Sequence, residues 1–242
     1  MSQSTALGAA AQRLRELHQI GRPLLLVNVW DATTARAVLA AGSPAIATSS
    51  VAMASARGGS DDNRDREAAF AQLRQITAAV DVPVTADLER GYGDWVGTAR
   101  AAWDAGIVGM NFEDSTSGGL VPVEDQVAAI EEIRAAVPAL VLNARVDVLL
   151  LGGGDFDEAI ARANAYLAAG ADCVYPYTED PGHVAPLVEG IAGPINVVLA
   201  ERMPPVTELE QLGVARITWG GRLAALAYDE AVRQVTAKLA GG

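Results

Sequence analysis

The chain has 242 residues, 50% hydrophobic and 20% charged, and its 30 acidic and 18 basic side chains give a formal net charge of -12. This is the composition of an ordinary globular protein of barrel or two-small-domain size, and its charge argues against nucleic acid while leaving an anionic substrate open through a bridging cation. A single cysteine, Cys173, excludes an intramolecular disulfide, two histidines, His18 and His183, disfavour a multi-histidine zinc site, and the only lysine, Lys238, lies in the last helical stretch, which disfavours a strand-borne Schiff base.

A helix over residues 5–19 is expected first. Eight short apolar runs then alternate with alanine-rich helical segments. Run 23–29 leads to helix 33–41, and run 44–49 leads through a polar loop to helix 64–80. Run 82–87 leads to helix 95–105, run 108–113 to helix 123–136, and run 139–145 to helix 156–169. Run 172–176 leads to helix 184–191, run 194–199 to helix 206–212, and run 215–219 to helix 223–239. Valine and isoleucine runs favour strand, and alanine with long straight-chain residues favours helix. Gly42, Gly106, Gly170 and Gly213 fall where a left-handed helix end is wanted. Pro44, Pro83 and Pro194 sit at or near strand starts, and Asp155 can cap the helix that follows it. Eight alternations predict one (β/α)8 TIM-type barrel domain over residues 1–242 with an extra N-terminal helix. No secretory signal and no membrane-spanning run is expected, which makes a cytoplasmic protein the expectation.

Acidic residues gather where the strands stop. Run 82–87 ends in Asp87-Leu88-Glu89, ahead of the turn Gly91-Tyr92-Gly93. Run 108–113 ends in Glu113-Asp114, and run 139–145 ends in Arg145-Val146-Asp147. The carboxyl ends of parallel strands hold the ligand site in such folds, and carboxylates crowded on one rim need a cation. Mg²⁺ takes oxygen ligands and keeps several waters, so Asp87, Glu89 and Glu113 suit it with one direct contact. The alternative is that they cap helices or pair with arginines. Arg145 can fork a substrate carboxylate or phosphonate, or pair with Asp147 or Glu113. Ser49 and Ser50 can bind a carboxylate or an oxyanion. Asp61 and Asp62 read as caps of helix 64–80, and Asp62 also as a water-mediated metal contact. Tyr177 can donate to a substrate or pack. Cys173, inside a strand, reads as a buried apolar residue, and His183 as a surface residue at a helix start.

Five fragments in this order resemble the isocitrate lyase/phosphoenolpyruvate mutase superfamily. They are Asn28-Val29-Trp30-Asp31-Ala32-Thr33-Thr34-Ala35-Arg36, Ala47-Thr48-Ser49-Ser50, Asp87-Leu88-Glu89-Arg90-Gly91-Tyr92-Gly93, Phe112-Glu113-Asp114 and Ala144-Arg145-Val146-Asp147. The resemblance implies a (β/α)8 barrel, a dimer or tetramer that exchanges its last helix, and enolate chemistry on small 2-oxo or 2-hydroxy carboxylates. It implies Mg²⁺, with Mn²⁺ as a substitute, on Asp87 directly and on Asp62, Glu89 and Glu113 through water. It also implies that Ser49, Ser50 and Arg145 bind the substrate. Catalytic roles are expected of Arg145, Glu113 and Tyr177.

The departures narrow the reaction. Isocitrate and methylisocitrate lyases carry a Lys-Lys-Cys-Gly-His loop whose cysteine is a general acid. Here the loop is Ser115-Thr116-Ser117-Gly118-Gly119-Leu120-Val121-Pro122. The lysine and asparagine of the phosphonomutase loop are absent too, and Tyr177 stands where phosphonomutases have a histidine. The expectation is an Mg²⁺-dependent carbon–carbon lyase. The alternatives are a phosphonate P–C mutase or hydrolase, and a 2-oxo acid-binding protein with little catalysis.

Overall fold

The computed structural model describes residues 3–59, 65–151 and 155–241. Helix α1 (Gln3–Glu16) is followed by β1 (Leu24–Leu26), β2 (Asn28–Val29), α2 (Ala32–Ala40), β3 (Ile46–Thr48), α3 (Ser50–Ala56), α4 (Arg66–Thr77), β4 (Val84–Asp87), α5 (Trp95–Asp104) and β5 (Gly109–Glu113). A hairpin of β6 (Ser115–Thr116) and β7 (Gly119–Leu120) comes next. Then follow α6 (Val123–Ala136), β8 (Val141–Val146), α7 (Phe156–Ala168), β9 (Cys173–Pro176), α8 (Val184–Gly190), β10 (Asn196–Val198), α9 (Val206–Leu212), β11 (Arg216–Thr218) and α10 (Arg222–Leu239).

The strands pair in parallel as β2-β3-β4-β5-β8-β9 and as β1-β11-β10. The first expected strand is a single run broken at Val27, so β1 pairs with β11 while β2 pairs with β3. A parallel bridge from Val174 to Ile195 joins the two runs at the other seam. The result is the closed (β/α)8 barrel that the alternation predicts. Near the first seam, the Asn28 Oδ1 accepts from the Trp219 amide at 2.8 Å and the Gly220 amide at 3.0 Å, across 191 and 192 residues of sequence.

Side-chain alternation along the strands divides the molecule into two interiors. On β5, Met110 and Phe112 are buried in the large apolar cluster with Leu142, Ala144 and Val174, between sheet and helices. Asn111 and Glu113 take the opposite face. Parallel register places Asp87, Asn111, Asn143 and Cys173 side by side, with Glu113, Arg145 and Tyr175 in the row above, nearer the carboxyl ends. The inside of the barrel is therefore polar toward the rim.

Its floor is apolar. Helix α1 sends Ala11 and Leu14 against Leu24, Leu26, Ala47, Val108 and Val141, stoppering the amino-terminal end. Gly109 makes room, because a Cβ there would meet the Leu14 Cδ2 at 2.8 Å and the Thr85 Oγ1 at 2.7 Å. Full burial of a leucine contributes about 1.5–3 kcal/mol, so this stopper fixes the barrel's lower end.

Two elements lie outside the sequence expectation. Helix α3, only seven residues long, directly follows β3, and the gating-loop segment folds as the β6–β7 hairpin. Helix α4 is capped by Asp65, whose side chain accepts from the Ala68 amide. The caps proposed for Asp61 and Asp62 lie outside the described residues. Asp155 caps α7 as expected. Gly42, Gly106, Gly170 and Gly213 all have positive φ.

Helix α10 leaves the barrel. Among its residues only Ala224 is buried, while Leu226, Val232, Val235 and Leu239 are 51–84% exposed. Among the described residues no helix is long and apolar enough to cross a membrane.

Candidate active site

The carboxyl-terminal rim surrounds a cavity of about 170 Å³ whose lining includes Ser49, Ser50, Asp87, Asn111, Arg145 and Tyr175. Each side chain is carried there by the end of a strand or by the turn that follows it.

Asp87 closes β4. Its Oδ2 accepts two hydrogen bonds from Ser50, one from the amide at 3.1 Å and one from the hydroxyl at 2.9 Å. Its Oδ1 accepts none from the described residues. Ser50 opens α3, and Ser49 caps that helix through its hydroxyl, which accepts from the Ala52 amide. Thus Ser50, expected at the substrate, is engaged with the proposed metal ligand.

Glu113 closes β5 opposite Arg145 on β8. The Arg145 Nη1 lies 3.2 Å from Glu113, and its Nε lies 2.6 Å from the fully buried Asp147. Burial works against the charge on Arg145, but Asp147 and Glu113 outweigh it, and its pKa is raised. Burial pushes the Glu113 carboxyl up to about 8, with Arg145 opposing and Asp87, Asp147 and Glu89 adding to the rise. One guanidinium is thus shared among Glu113 and its acidic neighbours at the rim. Both ion pairs considered for Arg145 are formed, and the residue still lines the cavity.

Glu89 has a left-handed backbone, φ 51°, at the turn after β4, and its carbonyl accepts from the Glu113 amide at 3.1 Å. This conformation is uncommon for a non-glycine residue, and it ties the ends of β4 and β5 together. Among the described residues, no three carboxylate, histidine or cysteine side chains stand close enough to hold a metal by themselves. Asp62 lies outside the described residues. The donor set fits an ion held by one carboxylate with the rest of its shell supplied by water, as Mg²⁺ commonly is.

The Tyr177 ring covers the Arg145 guanidinium at 4.8 Å, while its hydroxyl donates to Glu179 at 3.1 Å. Tyr175, in register with Arg145, lines the cavity together with Tyr177. Sequence reading passed over it, although alternation from Arg145 across the sheet would have found it. Asn111 and Asn28 were likewise missed, and both line the cavity.

The short loop is anchored. Ser115 donates to Asp147 at 2.5 Å, the Val121 amide donates to the Asp114 carbonyl at 2.9 Å, and Arg162 donates to the Val121 carbonyl at 2.9 Å. Asp114 itself is fully buried under Tyr166 and Arg162 and acts as a structural anchor. Cys173 is buried, and that burial pushes its thiol up to about 12, as expected of a packed and unreactive cysteine. His183 sits at the start of α8, 2.8 Å from the Thr178 hydroxyl and edge-on to Phe156.

Comparison with known proteins bears on the family and the fold. The phosphoenolpyruvate phosphomutase family model matches residues 14–239. The chain belongs to the phosphoenolpyruvate phosphomutase family. Within the family it is 35% identical, over 85% of its length and 80% of the relative's, to an uncharacterized protein of Mycobacterium tuberculosis. It is 30% identical to the 2-methylisocitrate lyase of Bacillus subtilis, over 69% of this chain and 59% of the relative. A Burkholderia cenocepacia J2315 crystal structure, assigned as a phosphonomutase, superposes with a TM-score of 0.88 at 35% identity, covering 98% of this chain and all (100%) of the other. The proteins it resembles thus include one named as a lyase and one assigned as a phosphonomutase.

Proposed function

We propose that this protein is an Mg²⁺-dependent carbon–carbon lyase acting on a small 2-oxo or 2-hydroxy carboxylate through an enolate. The observation that carries the reading is the convergence of Asp87, Ser50 and Arg145 on one small cavity, with Glu113 paired to Arg145 at its edge. Asp87 would hold the ion directly, with Glu89, Glu113 and Asp62 reached through water. When bound, the ion would stabilise negative charge developing on the 2-oxo oxygen.

The chain's own residues supply the rest. Arg145, fixed by Asp147 and Glu113 and covered by Tyr177, presents a pre-oriented cation to a substrate carboxylate. Ser49 lines the same cavity at the start of α3, and Ser50 beside it directs both of its donors to Asp87. Glu113, whose proton affinity burial raises, can hold or pass a proton at its carboxyl. A cavity of about 170 Å³ suits a compact di- or tricarboxylate.

Carbon–carbon chemistry is favoured over phosphorus–carbon chemistry, because among the described residues Arg145 is the one side chain in the cavity suited to fork a phosphonate. The anchored hairpin, lacking Cys and Lys, favours as a second reading a 2-oxo acid-binding protein with little turnover. The exposed apolar face of α10 supports a homodimer or tetramer. The test is a panel of 2-oxo and 2-hydroxy di- and tricarboxylates and phosphonopyruvate, with and without Mg²⁺. Metal-dependent carbon–carbon cleavage is expected. Turnover of phosphonopyruvate alone, or tight oxalate binding with no turnover, would replace this reading with one of its rivals.

A further inference from the structure

Arg216 is the largest fully buried side chain in the barrel, 1% exposed, and pairs with no carboxylate among the described residues. Its Nε has no partner there either. Its Nη2 donates to the Asn111 Oδ1 at 3.2 Å, and the Asn143 Nδ2 donates to the same oxygen at 2.7 Å. Two donors on one atom fix the carboxamide's orientation, since only the oxygen accepts. The Asn111 Nδ2 is left with no hydrogen bond to the described residues, on a side chain that lines the cavity.

We propose that Asn111 is a substrate-contacting donor, its Nδ2 directed at a negatively charged oxygen of the ligand, and that Arg216 is the positioning residue that holds it so. The inference rests on the carboxylate-binding reading above and extends it. The cavity selects a ligand with anionic oxygen at the barrel-axis end as well as at Arg145. A buried cation behind the amide polarises it toward such an oxygen.

The experiment titrates oxalate, in excess Mg²⁺, into wild-type protein, Asn111→Leu and Asn111→Asp, with Mg²⁺ affinity and thermal stability measured in parallel. A merely structural Asn111 makes aspartate harmless, because both donors keep their acceptor and Arg216 gains a counter-charge. A substrate donor makes aspartate the worst replacement. The expected oxalate affinity falls about ten- to hundred-fold in the leucine variant and further in the aspartate variant, while the aspartate variant is the more stable of the two. Arg216→Met should weaken oxalate binding in the Asn111 protein and have no added effect in the Asn111→Leu protein. Wild-type-like oxalate affinity in Asn111→Asp overturns the inference alone, and it decides the matter even where the leucine variant does not fold. Absence of oxalate binding by wild-type protein overturns the carboxylate reading and this inference together.

Discussion

Ser50 donates both its amide and its hydroxyl to one oxygen of Asp87. The pair joins the start of α3 to the end of β4. It occupies one carboxylate oxygen and leaves the other without a hydrogen bond from the described residues. A serine expected at the substrate thereby also orients the residue proposed to hold the ion.

Asp87→Ala should abolish Mg²⁺-dependent oxalate binding in a folded protein. Ser50→Ala removes one charge-assisted hydrogen bond, about 1.5–3 kcal/mol, and leaves the amide in place. Its Mg²⁺ affinity should fall roughly ten-fold or more by calorimetry. Wild-type metal affinity in Asp87→Ala would remove Asp87 from the site.

The β6–β7 hairpin gives a second prediction. It carries no thiol, ammonium or imidazole, and Asp114, Asp147 and Arg162 fasten it at its base. Loss of a general acid costs about 10²–10⁴-fold. Cleavage of isocitrate and methylisocitrate should therefore be weak or absent, and smaller oxaloacetate-like acids should be preferred. The comparison is kcat/KM at saturating Mg²⁺. A wide margin for methylisocitrate would require an acid supplied from elsewhere in the chain.

The strand-end residues were legible because Asp87, Glu113 and Arg145 interrupt apolar runs, and a charge at such a place needs a reason. Asn111 was not, because a single amide inside Val108-Gly109-Met110-Asn111-Phe112 carries no sign of its neighbours. Its partners, Asn143 and Arg216, come from strands 32 and 105 residues away. Tyr177, the residue past the strand, is readable as a rim aromatic, whereas Tyr175, beside Arg145 in register, lines the same cavity from inside an apolar run that hides it. The eight-fold alternation was readable from period and punctuation. Helix α3 and the hairpin were not, since each is shorter than the window in which periodicity accumulates.

A third prediction concerns pH. His18 is buried with its Nδ1 2.8 Å from the Leu14 carbonyl, and burial, reinforced by Arg216, lowers its pKa from 6.5 to about 4. The unfolded chain takes up this proton first as pH falls. Stability from neutral His18 is therefore complete above about 6.5 and is lost on the way down to about 4. The loss reaches about 3 kcal/mol at roughly 1.4 kcal/mol per pH unit. Denaturant unfolding of wild-type protein and His18→Asn across this range should give a difference that is flat above pH 7 and shrinks below it. A difference that does not change with pH would refute the assignment.

Helix α10 gives the fourth prediction. Leu226, Val232, Val235 and Leu239 should be covered in an oligomer, so light scattering at micromolar concentration should report a dimer or tetramer. Replacing Val232 and Val235 with serine should shift the mass toward the monomer while the barrel's unfolding transition persists. A wild-type monomer at that concentration would leave this face unexplained.

The clasp between Asn28 and the amides of Trp219 and Gly220 has a consequence for synthesis. A ribosome makes β1 and β2 first and their closing neighbour, β11, last. Until Trp219 is made, the growing chain is an unclosed sheet with a raw edge at each side, Leu24–Leu26 on one and the latest strand on the other. Open edges recruit other strands. Chains cut short before Trp219 should therefore accumulate as insoluble aggregates rather than as smaller folded proteins.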